Sequence, residues 1–186
     1  MKKVLAIITM FSFMVAGEMG LTVYGGLGMT NVSSDDDNSV SGSKMGFNLG
    51  VTYDKLPVIV GAGFSMRGAA EDDVTLKLNY IDLMALYPYA AGPGSAWVGL
   101  DIGINMSAKM DNDGTEFDMK DSDVCDDCIN GLDYGLLFGY TYPLNETMGV
   151  SLGYYLGLAD WSGDGMGDSS DNNNGILMNF EYVLPY

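Results

Sequence analysis

From Gly175 to Tyr186 the chain reads G-I-L-M-N-F-E-Y-V-L-P-Y. Ile176, Met178, Phe180, Tyr182, Leu184 and Tyr186 form one unbroken apolar row, and Leu177, Asn179, Glu181, Val183 and Pro185 a mixed, partly polar one. A period of two places these rows on opposite faces of a strand. The same pattern recurs seven more times, over residues 21–30, 45–53, 58–67, 75–87, 96–107, 132–142 and 148–158. Outside 75–87, one row is each time essentially apolar, and the other is rich in Gly, Ser, Thr and Asn. Met45, Phe47, Leu49, Val51 and Tyr53 against Gly46, Asn48, Gly50 and Thr52 is the clearest case. A soluble sheet buries its apolar row in a core. Here the small residues of the other row suit the inside of a narrow closed barrel, so the apolar row must face outward, into lipid.

The fourth strand contains a fault. Leu76, Leu78 and Tyr80 form one row that Asp82 would continue. A β-bulge near Tyr80–Ile81 would turn Asp82 inward and put Ile81, Leu83, Ala85 and Tyr87 outside. The strands are about ten residues long, as a tilted membrane-crossing strand requires.

The connections alternate long and short. The long ones (31–44, 68–73, 108–131 and 159–174) hold eighteen of the 25 acidic residues, whereas the short ones (54–57, 88–95 and 143–147) hold only Asp54 and Glu146. An even strand count with sorted loops predicts both termini on the periplasmic side and the acidic loops outside. Closure is required, because an open sheet edge in hydrocarbon leaves backbone groups unpaired at several kcal/mol each.

Met1-Lys2-Lys3 and the apolar run Val4–Ala16 predict a secretory signal peptide over residues 1–17, cleaved after Gly17 or Ala16. The run is too short for a spanning helix. No cysteine follows it to carry a lipid anchor. Residues 18–186 then form a single domain. A formal charge of −17 makes nucleic acid an improbable partner, and the absence of histidine removes Ser-His-Asp and Cys-His catalysis. No nucleophile–base constellation is visible, and no enzyme activity is expected.

Five stretches carry a family resemblance: F-S-M-R-G (64–68), T-L-K-L-N-Y-I-D-L (75–83), L-D-I-G-I-N-M-S-A-K (100–109), L-D-Y-G-L-L-F-G-Y (132–140) and G-Y-Y-L-G-L-A-D (153–160). In order and spacing the chain resembles the PorT-like, porin-family "outer membrane protein beta-barrel" proteins. Leu83 and Met84 stand where that family usually has a proline. The closing strand, with Phe180, Tyr182, Leu184 and a final Tyr186, is also similar to the C-terminal assembly signal of bacterial outer-membrane barrels. The resemblance implies an all-β fold, an eight-stranded antiparallel up-and-down transmembrane barrel in the outer membrane of a Gram-negative-type envelope. It implies no defined activity. The partners expected are outer-membrane lipid, the barrel-assembly machinery during biogenesis, and an unidentified surface partner for the acidic loops.

Inward strand positions carry Arg67, Lys77, Asp82, Asp101, Asp133 and Glu181, a candidate lumen network. Buried charges must be paired. The network reads either as a structural plug or as a proton or ion path. Cys125 and Cys128, in an exported chain, read as a local disulfide. Zinc would need two further ligands and has no histidine to supply them. Asp111-Asn112-Asp113-Gly114 hints at a calcium loop but departs from EF-hand spacing, so Asp111 and Asp113 are at most weak divalent-cation candidates, and no cofactor is expected. Tyr53, Tyr87, Tyr142, Tyr186 and Trp161 read as interface girdles, and inward Tyr24, Trp97, Leu137 and Tyr155 as lumen fillers. The best reading is a barrel acting as a structural or surface-interaction module. The alternatives are a narrow channel for small solutes and a lipocalin-like carrier of a hydrophobic ligand.

Overall fold

The computed structural model describes residues 20–34, 40, 42–54, 56–121, 123, 128–163 and 171–185. The expected signal peptide, Cys125 and Tyr186 lie outside these residues. Among those described, the strands are β1 Leu21–Ser34, β2 Lys44–Tyr53, β3 Ile59–Arg67, β4 Ala70–Glu71, β5 Val74–Ala91, β6 Gly94–Asn112, β7 Thr115–Asp118, β8 Leu132–Pro143, β9 Met148–Gly157 and β10 Asp171–Val183. Eight of them close a barrel in chain order. Each pairs antiparallel with the next, β5 with β6 completes the middle, and β1 with β10 (Thr22↔Val183 through Ser34↔Asp171) joins the ends. No edge is left in the wall. The short β4 and β7 extend β5 and β6 beyond it at the long-loop end.

The two rows fall where the alternation places them over most of the wall. Leu27, Phe47, Leu100, Phe138, Leu152, Met178 and Phe180 are exposed on the outside. Asn48, Ser65, Asp101, Asp133 and Ser151 are buried inside. A lipocalin-like carrier needs the opposite distribution. Inner-row glycines make room for the large lumen residues. A Cβ at Gly50 or Gly63 would strike the Tyr24 hydroxyl, and one at Gly139 or Gly153 would strike the Trp97 ring. These rings therefore lie across neighbouring strands rather than standing up into the lumen.

The fault in the fourth strand has a different origin from the one expected. Leu76, Leu78 and Tyr80 are buried in the same inward row as Asp82, so β5 has no slip. The irregularity lies opposite, on β6: Asn79 pairs with Ser107 and Tyr80 with Asn105, leaving Met106 as the extra residue. Beyond Met106 the inward parity of β6 changes, and Ala108 becomes fully buried.

Leu76, Leu78, Tyr80 and Ala108 build a second core with Val32, Ala69, Met119, Cys128 and Trp161 at the long-loop end. Trp161 is thus buried and is not a girdle residue. The strands at this end turn their apolar row inward, as a soluble protein does.

The 88–95 connection is also shorter than expected. β5 and β6 continue to Ala91↔Gly94, leaving a two-residue turn in which Gly92 has φ of 60°. Pro88 is tolerated in this hairpin because β3 pairs only as far as Leu86, so the proline edge faces no partner on that side.

Candidate lumen site

Arg67 stands at the end of β3 and turns into the barrel, where β5, β6 and β8 each bring one aspartate to it. Arg67 Nη2 donates to Asp82 Oδ1 and Asp101 Oδ2, both at 2.6 Å, and Nη1 to Asp133 Oδ2 at 3.0 Å. Its Nε donates to Ser65 Oγ at 3.1 Å. The four charged side chains are between 0% and 7% exposed. The guanidinium lies 4.0 Å from the Tyr155 ring centroid and 4.9 Å from that of Tyr80. These distances are within range of a cation–π contact. The Tyr155 hydroxyl donates to Asp133 Oδ1 at 2.9 Å, and Asn173 Nδ2 donates to Asp133 Oδ2 at 2.9 Å and to the Tyr80 hydroxyl at 3.4 Å. One planar, permanently charged fork thus ties four strands together in a section the size of a few side chains.

The other expected members of the network lie elsewhere. Lys77 is not in the lumen. Because β5 has no slip, Lys77 sits on the row opposite Leu76 and Leu78. Its Nζ donates to Asp111 Oδ2 at 3.0 Å and Glu116 Oε2 at 3.2 Å, while Lys109 holds the other oxygen of Glu116 at 2.5 Å. These bonds raise the Lys77 and Lys109 ammonium groups above their ordinary value and lower the Glu116 carboxyl below its own. Glu181 does line the lumen but toward the short-turn end. There its Oε1 accepts from Thr141 Oγ1 at 3.3 Å, and Thr141 accepts from Trp97 Nε1 at 3.1 Å.

Asp111 and Asp113 belong to a hairpin. Asn112 pairs with Thr115, and Asp113 and Gly114 both take positive φ (49° and 81°), the backbone of a type I′ turn. Asp111 Oδ1 accepts from the Gly114 amide at 3.1 Å, so both its oxygens are engaged. Cys128 is disulfide-bonded and packs in the long-loop core. Phe180 and Tyr182 lie on the outer face. The Leu184 amide donates to the Leu21 carbonyl at 2.9 Å, just past the end of β10.

Between the Arg67 cluster and the short-turn end is a cavity of about 120 Å³. Its floor includes Arg67, Asp82, Asp101 and Asn48, and its walls Leu86, Trp97, Leu137 and Leu177. Toward the long loops the inward residues Thr30, Leu78, Tyr80 and Asn173 are buried, whereas Thr52, Ile59, Trp97, Thr141 and Glu181 are half-buried. Among the described residues, inward positions are thus more deeply buried toward the long loops than at most short-turn positions, Thr22 excepted. Sequence reasoning located the four charges but not Ser65, Tyr80, Asn48 or Asn173 as their neighbours. Nothing in a period of two says which inward residues of distant strands share a level.

A closed barrel that is apolar outside, polar within and formed from eight strands defines a small outer-membrane barrel protein. Among solved structures, the fold is similar to neisserial surface protein A, at a TM-score of 0.69 and 14% identity, covering 90% of this chain and 99% of that one. It is also similar to outer membrane protein W of E. coli, at 0.52 and 12%, covering 91% and 100%. At these identities the likeness is one of fold. No curated protein matches the chain by sequence. The chain belongs to the outer membrane protein beta-barrel domain family, whose pattern matches residues 12–163.

Proposed function

We propose that this outer-membrane barrel is a closed structural and surface-interaction module rather than a channel or an enzyme. The observation that carries the reading is the Arg67 cluster: a guanidinium buried against three aspartates and two aromatic rings fills the lumen section. In this reading the termini and short turns face the periplasm. Glu71, Asp72, Asp113, Asp118 and Asp121, all exposed at the long-loop end, form the working surface. The five sequence stretches around Arg67, Asp82, Asp101, Asp133 and Asp160 support a PorT-like reading within its family. Phe180 and Tyr182, outward on the closing strand, are the residues offered to the assembly machinery and then to lipid.

Reconstitution into planar bilayers tests the reading. Wild-type barrel that is folded by heat-modifiability on gels is expected to show no resolvable unitary conductance. Reproducible openings that persist after further purification would sink the closed-lumen reading in favour of a narrow channel.

A further inference from the structure

The cavity beneath the Arg67 cluster has a chemical signature of its own. Three acceptors on its lining have no partner: Asp101 Oδ1, Asn48 Oδ1 and Asn179 Oδ1. Asp101 is 1% exposed and Asn48 7%. A buried acceptor left without a donor is destabilising. Arg67 does not serve them: four of its five N–H groups bond Ser65, Asp133, Asp82 and Asp101, and the second Nη1 N–H makes no bond to any of the three. Formally, three carboxylates surround one guanidinium, and two of them, Asp82 and Asp101, line the cavity floor. Ile59, Met84, Leu86, Leu137, Leu177 and the Trp97 ring supply an apolar stretch of the walls, and Thr52, Thr141, Ser151 and Glu181 line the remainder.

We infer that this cavity binds a small primary ammonium with a short apolar stem, admitted from the short-turn end. The ammonium brings three donors and no acceptor, which is what a floor of unpaired oxygens lacks. Its charge complements the Asp82 and Asp101 carboxyls that line the floor. The stem replaces water against the aliphatic walls, and the Trp97 face tolerates a cation passing it. Asn48 Nδ2 is also without a partner and faces the same cavity lining, so an acceptor, such as an accompanying water, completes that corner. A cavity near 120 Å³ has the scale of a ligand of five or six heavy atoms. A bare metal ion fits less well, since among the described residues no group of three or more acidic or cysteine side chains is arranged to hold one.

The test is isothermal titration of the folded barrel in detergent micelles with n-butylammonium chloride, and with n-butanol as the uncharged match. The amine is expected to bind one site saturably and at least tenfold more tightly than the alcohol. Asp101→Asn is expected to weaken the amine at least tenfold and leave the alcohol unchanged. Asn48→Leu, which touches no Arg67 contact, is expected to weaken the amine as well and decides the matter if Asp101→Asn fails to fold. Equal binding of amine and alcohol, absence of a saturable site in folded protein, or full amine affinity in the folded variants would each overturn the inference. The titration is independent of conductance: a conducting barrel would refute the closed lumen and leave this result standing.

Discussion

Replacing Arg67 with Met keeps the length of the side chain and removes the charge on which three strands converge. The structure sets the scale. Arg67 makes three charge-assisted bonds, at 2.6, 2.6 and 3.0 Å, and one to Ser65 at 3.1 Å. Charge-assisted bonds contribute about 1.5–3 kcal/mol each before the desolvation of the guanidinium is set against them. That offset is large for a group 7% exposed. Measured losses on removing one member of a buried pair are about 3–5 kcal/mol, because the partner is left charged and alone. Here three carboxylates are left, so Arg67→Met is expected to lose at least that range, two to nearly four powers of ten in the unfolding equilibrium. The assay is urea unfolding in lipid vesicles, followed by the fluorescence of Trp97 and Trp161. The companion variant combines Arg67→Met with Asp82→Asn, Asp101→Asn and Asp133→Asn, which removes the stranded charges and is expected to recover more than half of the loss. A loss below about 1 kcal/mol for the single variant would make the cluster equivalent to a surface pair. A combined variant no more stable than the single one would show that packing, not charge, is what Arg67 supplies.

Three further outcomes follow from the same geometry. Leu100→Arg, on the exposed outer row, is expected to cost about 2–4 kcal/mol in lipid vesicles if its side chain lies near the bilayer midplane. Equal stability of this variant and wild type in vesicles would count against a lipid-facing row. Gly139→Val is expected to lower folding yield and cost about 1–3 kcal/mol by overpacking, since its side chain would strike Trp97 and the Leu152 carbonyl. An unchanged urea midpoint would refute that contact. Glu116 has its carboxyl lowered by Lys109 and Lys77, so its contribution to the β6–β7 hairpin is present above the ordinary glutamate range and is lost as pH falls through the lowered value. Both lysines are raised, so theirs is present below the ordinary lysine range and lost only as pH rises through the raised values. Glu116→Gln is expected to speed amide exchange in residues 109–118 at neutral pH and low salt, with little change in global stability, and 1 M salt should erase the difference. Exchange that is the same in variant and wild type at low salt would refute it.

The inward and outward rows were legible in the residues alone, because a strand alternates whatever surrounds it and lipid demands one continuous apolar row. From Met45 to Tyr53 or from Met148 to Leu156 no tertiary information is needed to say which way a side chain points. The up-and-down order and the inward placing of Arg67, Asp101 and Asp133 followed from the same period, whereas Asp82 was turned inward by a bulge that β5 does not contain. Lys77 and Trp161 did not. Both lie toward the long-loop end, where the apolar row turns inward to meet Val32, Ala69 and Met119. The sequence shows that the parity of the pattern changes near Tyr80. It cannot distinguish an extra residue from a change of surroundings, because both swap the apolar row.

What the residues determine by themselves is the local alternation, and with it the strands, their faces and the closed wall. What only the tertiary structure decides is level and depth. The tilt and stagger of the strands bring Arg67 of β3 beside Asp82, Asp101 and Asp133 of three others, put Glu181 toward the short-turn end, and leave Asp101 Oδ1 and Asn48 facing a cavity. These are relations between residues far apart in the chain, set by register around a closed barrel, and no local period encodes them.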